Sequence, residues 1–172
     1  FELIDLQPQK THGGSMRYVL AHKGMYDVQP IVKAIVEKEK KLGLDNLDKL
    51  NIFASNVQSS RNKLIQLLKD IKSSGKSIAG YAATSKSTTI LNYCQIGTEY
   101  IDYICDTTPI KQGKFSPGMH IPIVPHQYFV DNPPDYAFLL AWNHIDEIMS
   151  KEKQFIENGG KWIINIPEPR IL

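Results

Sequence analysis

The sequence predicts an α/β protein, a Rossmann-like three-layer domain with a mostly parallel sheet, preceded by an antiparallel strand pair and two helices. Three observations carry that expectation. From residue 76 onward, short apolar runs alternate with amphipathic stretches, the order expected when crossover helices link parallel strands. At the beginning, two β-type runs flank a polar loop containing Gly13-Gly14. Between these parts lie two segments whose apolar residues recur at helical spacing.

In chain order, Phe1 to Leu6 and Met16 to Ala21 are the antiparallel pair. A helix is predicted from Val28 to Leu42, with Ile31, Ile35 and Val36 on one face and Gly43 as its stop. A longer helix from Leu47 to Ser74 carries an apolar stripe of Phe53, Val57, Leu64, Leu68 and Ile71 and ends at Ser73-Ser74-Gly75. The strand Ser77 to Tyr81, the helix Ser85 to Cys94 and the strand Tyr100 to Cys105 follow. A loop rich in Pro and Gly runs from Thr107 to Gly118 and leads into Ile121-Pro122-Ile123-Val124. A short helix over Gln127 to Val130, a buried strand over Tyr136 to Trp142, a helix over Ile145 to Asn158 and a strand over Lys161 to Ile166 complete the pattern. The chain is therefore expected to be one domain, 1–75 holding the strand pair and helices and 76–172 the Rossmann-like half.

Composition narrows the function classes. The net charge of +2 comes from acids and bases spread along the chain, without the basic cluster that tracks a phosphate backbone, so no nucleic-acid partner is expected. No apolar run reaches the roughly 18–20 residues that span a bilayer, so no membrane partner is expected and the expected location is the cytoplasm. Cys94 and Cys105 lie inside apolar segments, with no Cys or His at zinc-ligand spacing, and read as reduced core residues. The chain opens at Phe1 within a strand-like run and its first methionine is Met16, so a preceding segment is expected.

The segment from Gly80 to Thr89 joins a strand to a helix through small and hydroxyl residues. Free backbone N–H groups there, the helix dipole and Lys86 suit an anion, which makes Gly80, Tyr81, Thr84, Ser85, Lys86, Ser87 and Thr88 candidate binding residues. The competing reading is a helix start capped by its own Ser and Thr. It is neither a G-x-G-x-x-G nor a Walker A sequence. Asp106 ends the next strand where an acid meets ribose hydroxyls in doubly wound folds, and the loop carrying Lys111, Lys114 and His120 shares its sheet edge. Trp142 follows a buried strand at the same edge and reads as a ligand flank, with Asn143 as a helix cap. His12, Gly13, Gly14 and Arg17 combine a titratable ring, a flexible backbone and a cation, although a hairpin turn needs the glycines too. His22, His126 and His144 show no spacing that points to a metal and read as surface or core residues.

These motifs, in this order, resemble the C-terminal domain of the S-adenosylmethionine-dependent sugar C-methyltransferases. The matching strings are Thr11-His12-Gly13-Gly14-Ser15-Met16-Arg17, Gly80-Tyr81 with Lys86, Leu91-Asn92-Tyr93-Cys94, Ile96-Gly97, Lys111-Gln112-Gly113-Lys114, Pro117-Gly118-Met119-His120-Ile121-Pro122-Ile123, Trp142-Asn143 and Gly159-Gly160-Lys161. The resemblance implies that an upstream methyltransferase domain binds S-adenosylmethionine, that zinc belongs to an N-terminal part, and that this part holds the nucleotide-linked deoxysugar, with Asn92 among its binding residues. No metal or cofactor is expected within this segment. The resemblance also implies methylation at a carbon, with the principal base supplied by the upstream domain and His12 and His120 as the contributors present here. Ala82 and Ser87 depart from the family pattern, standing where glycines are common. The rival readings are a stand-alone nucleotide- or CoA-binding module without chemistry and a nicotinamide-dependent oxidoreductase, the second disfavoured by the missing G-x-G-x-x-G.

Overall fold

The structure, a computed structural model, describes residues 1–172 as two compact units, Phe1–Asn56 and Val57–Leu172. The division falls inside a helix, before the turn at Ser74-Gly75 where the sequence pattern changes.

In the first unit, β1 (Glu2–Gln9) and β2 (Ser15–Ala21) pair antiparallel, with Gln7 opposite Arg17. A 3-10 turn, Thr11–Gly13, joins them. Helix α1 (Pro30–Leu42) begins with Pro at its first position and ends on Gly43, whose φ of 72° is the left-handed stop the sequence predicts. Helix α2 (Leu47–Ser73) starts in this unit and runs into the second.

The second unit holds a six-stranded sheet in the order β5-β4-β3-β6-β7-β8, formed by β3 (Ile78–Tyr81), β4 (Ile104–Asp106), β5 (Ile123–Pro125), β6 (Tyr136–Leu139), β7 (Lys161–Ile164) and β8 (Arg170–Ile171). All pairs are parallel except β7–β8. Successive residues of each inner strand face alternate cores, as the two-residue strand period requires. Ile78, Ile104, Phe138 and Ile163 pack with Leu64, Leu68 and Ile71 of α2 and with Leu91 of α3 (Ser85–Cys94). Ala79, Tyr81, Cys105, Leu139 and Trp162 pack on the other side with Phe129 of α4 (His126–Asp131) and Phe155 of α6 (Lys153–Glu157). Helices thus cover both faces. The strand order reverses beside β3, so the crevice at the carboxyl ends of β3, β4 and β6 is where such a sheet receives ligands.

Four predicted elements differ from the observed ones. The strand expected over Tyr100 to Cys105 is confined to Ile104–Asp106, because the Tyr100 and Ile101 N–H groups close a turn on the Gly97 carbonyl. The strand expected to reach Trp142 ends at Leu139, and Trp142–His144 form a 3-10 turn. The helix expected from Ile145 to Asn158 breaks at Glu152, whose φ of −99° and ψ of 35° separate α5 (Ile145–Lys151) from α6. The Phe53 end of the predicted apolar stripe on α2 is 67% exposed, whereas Leu68 is fully buried.

Candidate functional site

Gly80 is a glycine for the core's sake: a Cβ there would lie 2.8 Å from Cγ1 of Ile104 and 3.1 Å from Cδ1 of Leu140. Beyond Tyr81 the backbone turns through Ala82 at a φ of 73°, a left-handed conformation that favours glycine. Thr84 then caps α3, its Oγ1 accepting from the Ser87 N–H at 3.1 Å. The capped-helix reading is therefore realised at Thr84. The Asp106 carboxylate braces the turn, accepting from the N–H groups of Ala83 (2.7 Å) and Thr108 (2.8 Å) and from Nζ of Lys111 (3.1 Å). Burial alone would raise the Asp106 carboxyl, but bonds from Thr108, Lys111 and Ala83 outweigh it and hold the group below the ordinary carboxylate value.

Beside this turn opens a cavity of about 360 Å³. Thr84, Ser85, Ser87 and Thr88 from the start of α3 meet Lys111 and Lys114 from the long loop around it. The loop is held in place by Asn92, whose Nδ2 donates to the Pro117 carbonyl at 2.9 Å, and Gly118 nests so closely that a Cβ would fall 1.8 Å from Asn92 Oδ1. Asn92 thus shapes the loop. His120 is exposed, with a left-handed φ of 52°.

Lys86 lines neither this cavity nor the one described next: its ammonium donates to Asn143 Oδ1 at 2.8 Å and sits 5.4 Å from the centre of the Trp142 ring. Asn143 serves that lysine rather than capping the last helical segment, since α5 begins without a side-chain cap. In the first unit, His12 (φ 54°), Gly13 and Gly14 supply the positive φ angles of the hairpin connection, and Arg17 donates across the strand pair to Gln7 at 3.2 Å.

On the opposite face of the sheet lies a second cavity of about 340 Å³. Its central feature leaves no local signal along the chain. Glu152, at the break between α5 and α6, is 7% exposed, and its Oε1 accepts from the Tyr81 hydroxyl and meets Nε2 of His126, each at 2.7 Å. Burial first, and then the bond to Glu152, push the Tyr81 phenol far above its usual value. Burial pushes the neighbouring Cys105 thiol up to about 12, which leaves it no thiolate for nucleophilic work at neutral pH. His126 reads from the sequence as a surface or core residue, since no local spacing reveals its contacts with Glu152 and Tyr81, 26 and 45 positions away. No group of three or more His, Cys, Asp or Glu is arranged to hold a metal ion.

The profile of the family described as "C-methyltransferase C-terminal domain" matches residues 10–167. The chain belongs to that family. C-methyltransferase NovU of Streptomyces niveus is 36% identical over 171 residues, which is 99% of this chain and 41% of the relative. The chain therefore spans well under half the length of that C-methyltransferase. Within the C-methyltransferase C-terminal domain family, the resemblance read from the ordered motifs and the match of the whole chain agree. No helix is long and apolar enough to cross a membrane.

Proposed function

We propose that this chain is the nucleotide-sugar-binding domain of an S-adenosylmethionine-dependent methyltransferase that methylates a carbon of a nucleotide-linked deoxysugar. One observation carries the reading: in a C-methyltransferase C-terminal domain, the first turn of α3 and two lysines of the long loop surround one cavity at the carboxyl edge of the sheet. Helix-start N–H groups and ammonium groups are what a diphosphate requires. Lys111 spends two contacts on Ala83 and Asp106, which fixes its position, while Lys114 is exposed and available to the ligand.

The residues present do not suit the methyl donor. Gly80 is closed off by Ile104 and Leu140, and the turn that follows carries side chains at Ala82, Ala83 and Thr84 in place of a glycine-rich approach. Zinc fares no better, since Cys94 and Cys105 are buried in different cores. The methyl donor is assigned to an upstream methyltransferase part, which is also the proposed partner of this domain, and no step is derived through it. The domain's own work is to bind and orient the sugar nucleotide in the cytoplasm.

Calorimetric titration of nucleoside diphosphate sugars tests the reading. Lys111→Ala with Lys114→Ala is expected to weaken binding by roughly 10- to 150-fold and to flatten its salt dependence. Lys86→Ala is expected to lose less, because its ammonium is directed to Asn143 and Trp142. Unchanged affinity in the double variant, at low and high salt, defeats the proposal.

A further inference from the structure

The Glu152–His126–Tyr81 array has features that packing alone does not call for. A buried acid paired with a histidine contributes little net stability compared with apolar residues of the same shape. Here the acid also interrupts a helix to reach its partners. Glu152 takes Nε2 of His126 at 2.7 Å, which leaves Nδ1 as the ring nitrogen open to a ligand. No hydrogen bond within the chain uses Nδ1, and the ring lines the second cavity.

That cavity sets an apolar wall of Ala82, Cys105, Ala141 and Ile148 beside polar and charged residues that include Asp106, Glu147 and Lys151, a mixed lining that suits a ring carrying hydroxyl groups. Thr84 borders it and also borders the α3 cavity, so one elongated ligand can reach both.

We propose that the second cavity takes a hydroxylated ring, one of whose hydroxyl groups hydrogen-bonds Nδ1 of His126 while Glu152, backed by Tyr81, holds the imidazole in place. The ligand lies over Thr84 with its phosphates on the α3 side. This rests on the diphosphate reading above for the other end of the ligand. Ribose and a pyranose share the required chemistry.

Two substitutions separate recognition from mere support. Asparagine places a polar group where Nδ1 stands but loses the contact with Glu152; glutamine keeps the contact and loses the group at Nδ1. Uridine, thymidine, guanosine, adenosine and cytidine diphosphates, with and without attached glucose, serve as probes in calorimetric titrations of the full chain, alongside thermal unfolding. The expected result is that His126→Gln weakens binding about tenfold or more while His126→Asn stays within about threefold of the unaltered chain. A loss seen already with the free diphosphates identifies ribose; a loss confined to the glucose conjugates identifies the pyranose. Equal effects of the two variants, stronger loss with Asn, or no saturable binding by the unaltered chain overturn the proposal. Ile148→Trp, which fills the cavity from a half-buried wall, is expected to abolish ring binding even if the His126→Asn chain fails to fold; retained affinity overturns the proposal. If Lys111→Ala with Lys114→Ala leaves affinity intact while His126→Gln destroys it, the phosphate placement fails and the ring site stands. The reverse pattern removes the ring site alone.

Discussion

The first 56 residues and the remainder solve the burial problem differently. In the first unit, Leu6 is the one apolar side chain that is buried, and α1 buries none. In the second, every inner strand is apolar on both faces and feeds two cores. Helix α2 shows the contrast within one element: Phe53 is 67% exposed and Leu68 is at 0%. A helical apolar stripe thus states that a face wants covering, while tertiary context decides whether the chain covers it.

The largest expected effect sharpens this contrast on α2 itself. Leu68→Ala should cost about 2–5 kcal/mol in urea unfolding, against about 0.5 kcal/mol or less for Phe53→Ser. A Phe53→Ser loss as large as that of Leu68→Ala would break the comparison.

Next comes Asp135, immediately ahead of β6 in the second unit. The Ser77 N–H, then Lys76, then the Ser77 hydroxyl hold it down at about 2. A depressed folded value stabilises above the unfolded value of about 3.9, and that contribution fades as pH falls toward about 2. Because the Asp135 side chain is 37% exposed and its ion pair is screened, Asp135→Asn should cost only about 1 kcal/mol at neutral pH and flatten the stability profile across that window, measured by unfolding at a series of pH values. A parallel acid profile would rule this out.

Helix starts extend the comparison. Thr84 caps α3, whereas Gln29 ahead of α1 makes no side-chain cap. Thr84→Ala should lose about 1 kcal/mol, while Gln29→Asp should gain about 0.5–1 kcal/mol, both read from thermal unfolding.

The smallest effect concerns turns. The first unit meets most of its positive φ angles with glycine, but the second places Ala82 at 73°. Ala82→Gly should gain about 0.5 kcal/mol in melting experiments; a loss would show that unfolded-chain entropy outweighs the relief of strain.

How much of this was legible follows from range. The parallel sheet, the hairpin and the turn at Gly43 are written in local period and glycine placement, and the structure reproduces them. Lys111, Lys114 and the start of α3 were marked by their common sheet edge, and they do line one cavity. Glu152 was hidden because its surroundings read as one continuous amphipathic helix, and the break that turns its carboxylate inward depends on Tyr81 and His126 from distant strand ends. Position marks Lys86 as a phosphate ligand, but the contacts its ammonium makes with Asn143 and Trp142 join residues 57 and 56 positions apart, beyond any local signal. Strand β8 is too short, at Arg170–Ile171, to leave a periodic signal.

That short strand has a consequence for the chain in concentrated solution. A parallel sheet left open along a flank offers a row of unmet N–H and C=O groups on which another molecule can grow a strand. Here one flank ends in two residues running the opposite way, and the other in β5, bounded by Pro122 and closed by Pro125, neither of which has an N–H to offer. Self-templated strand addition therefore finds little purchase at either margin of the six-stranded sheet, even though its interior strands are among the most apolar segments of the sequence.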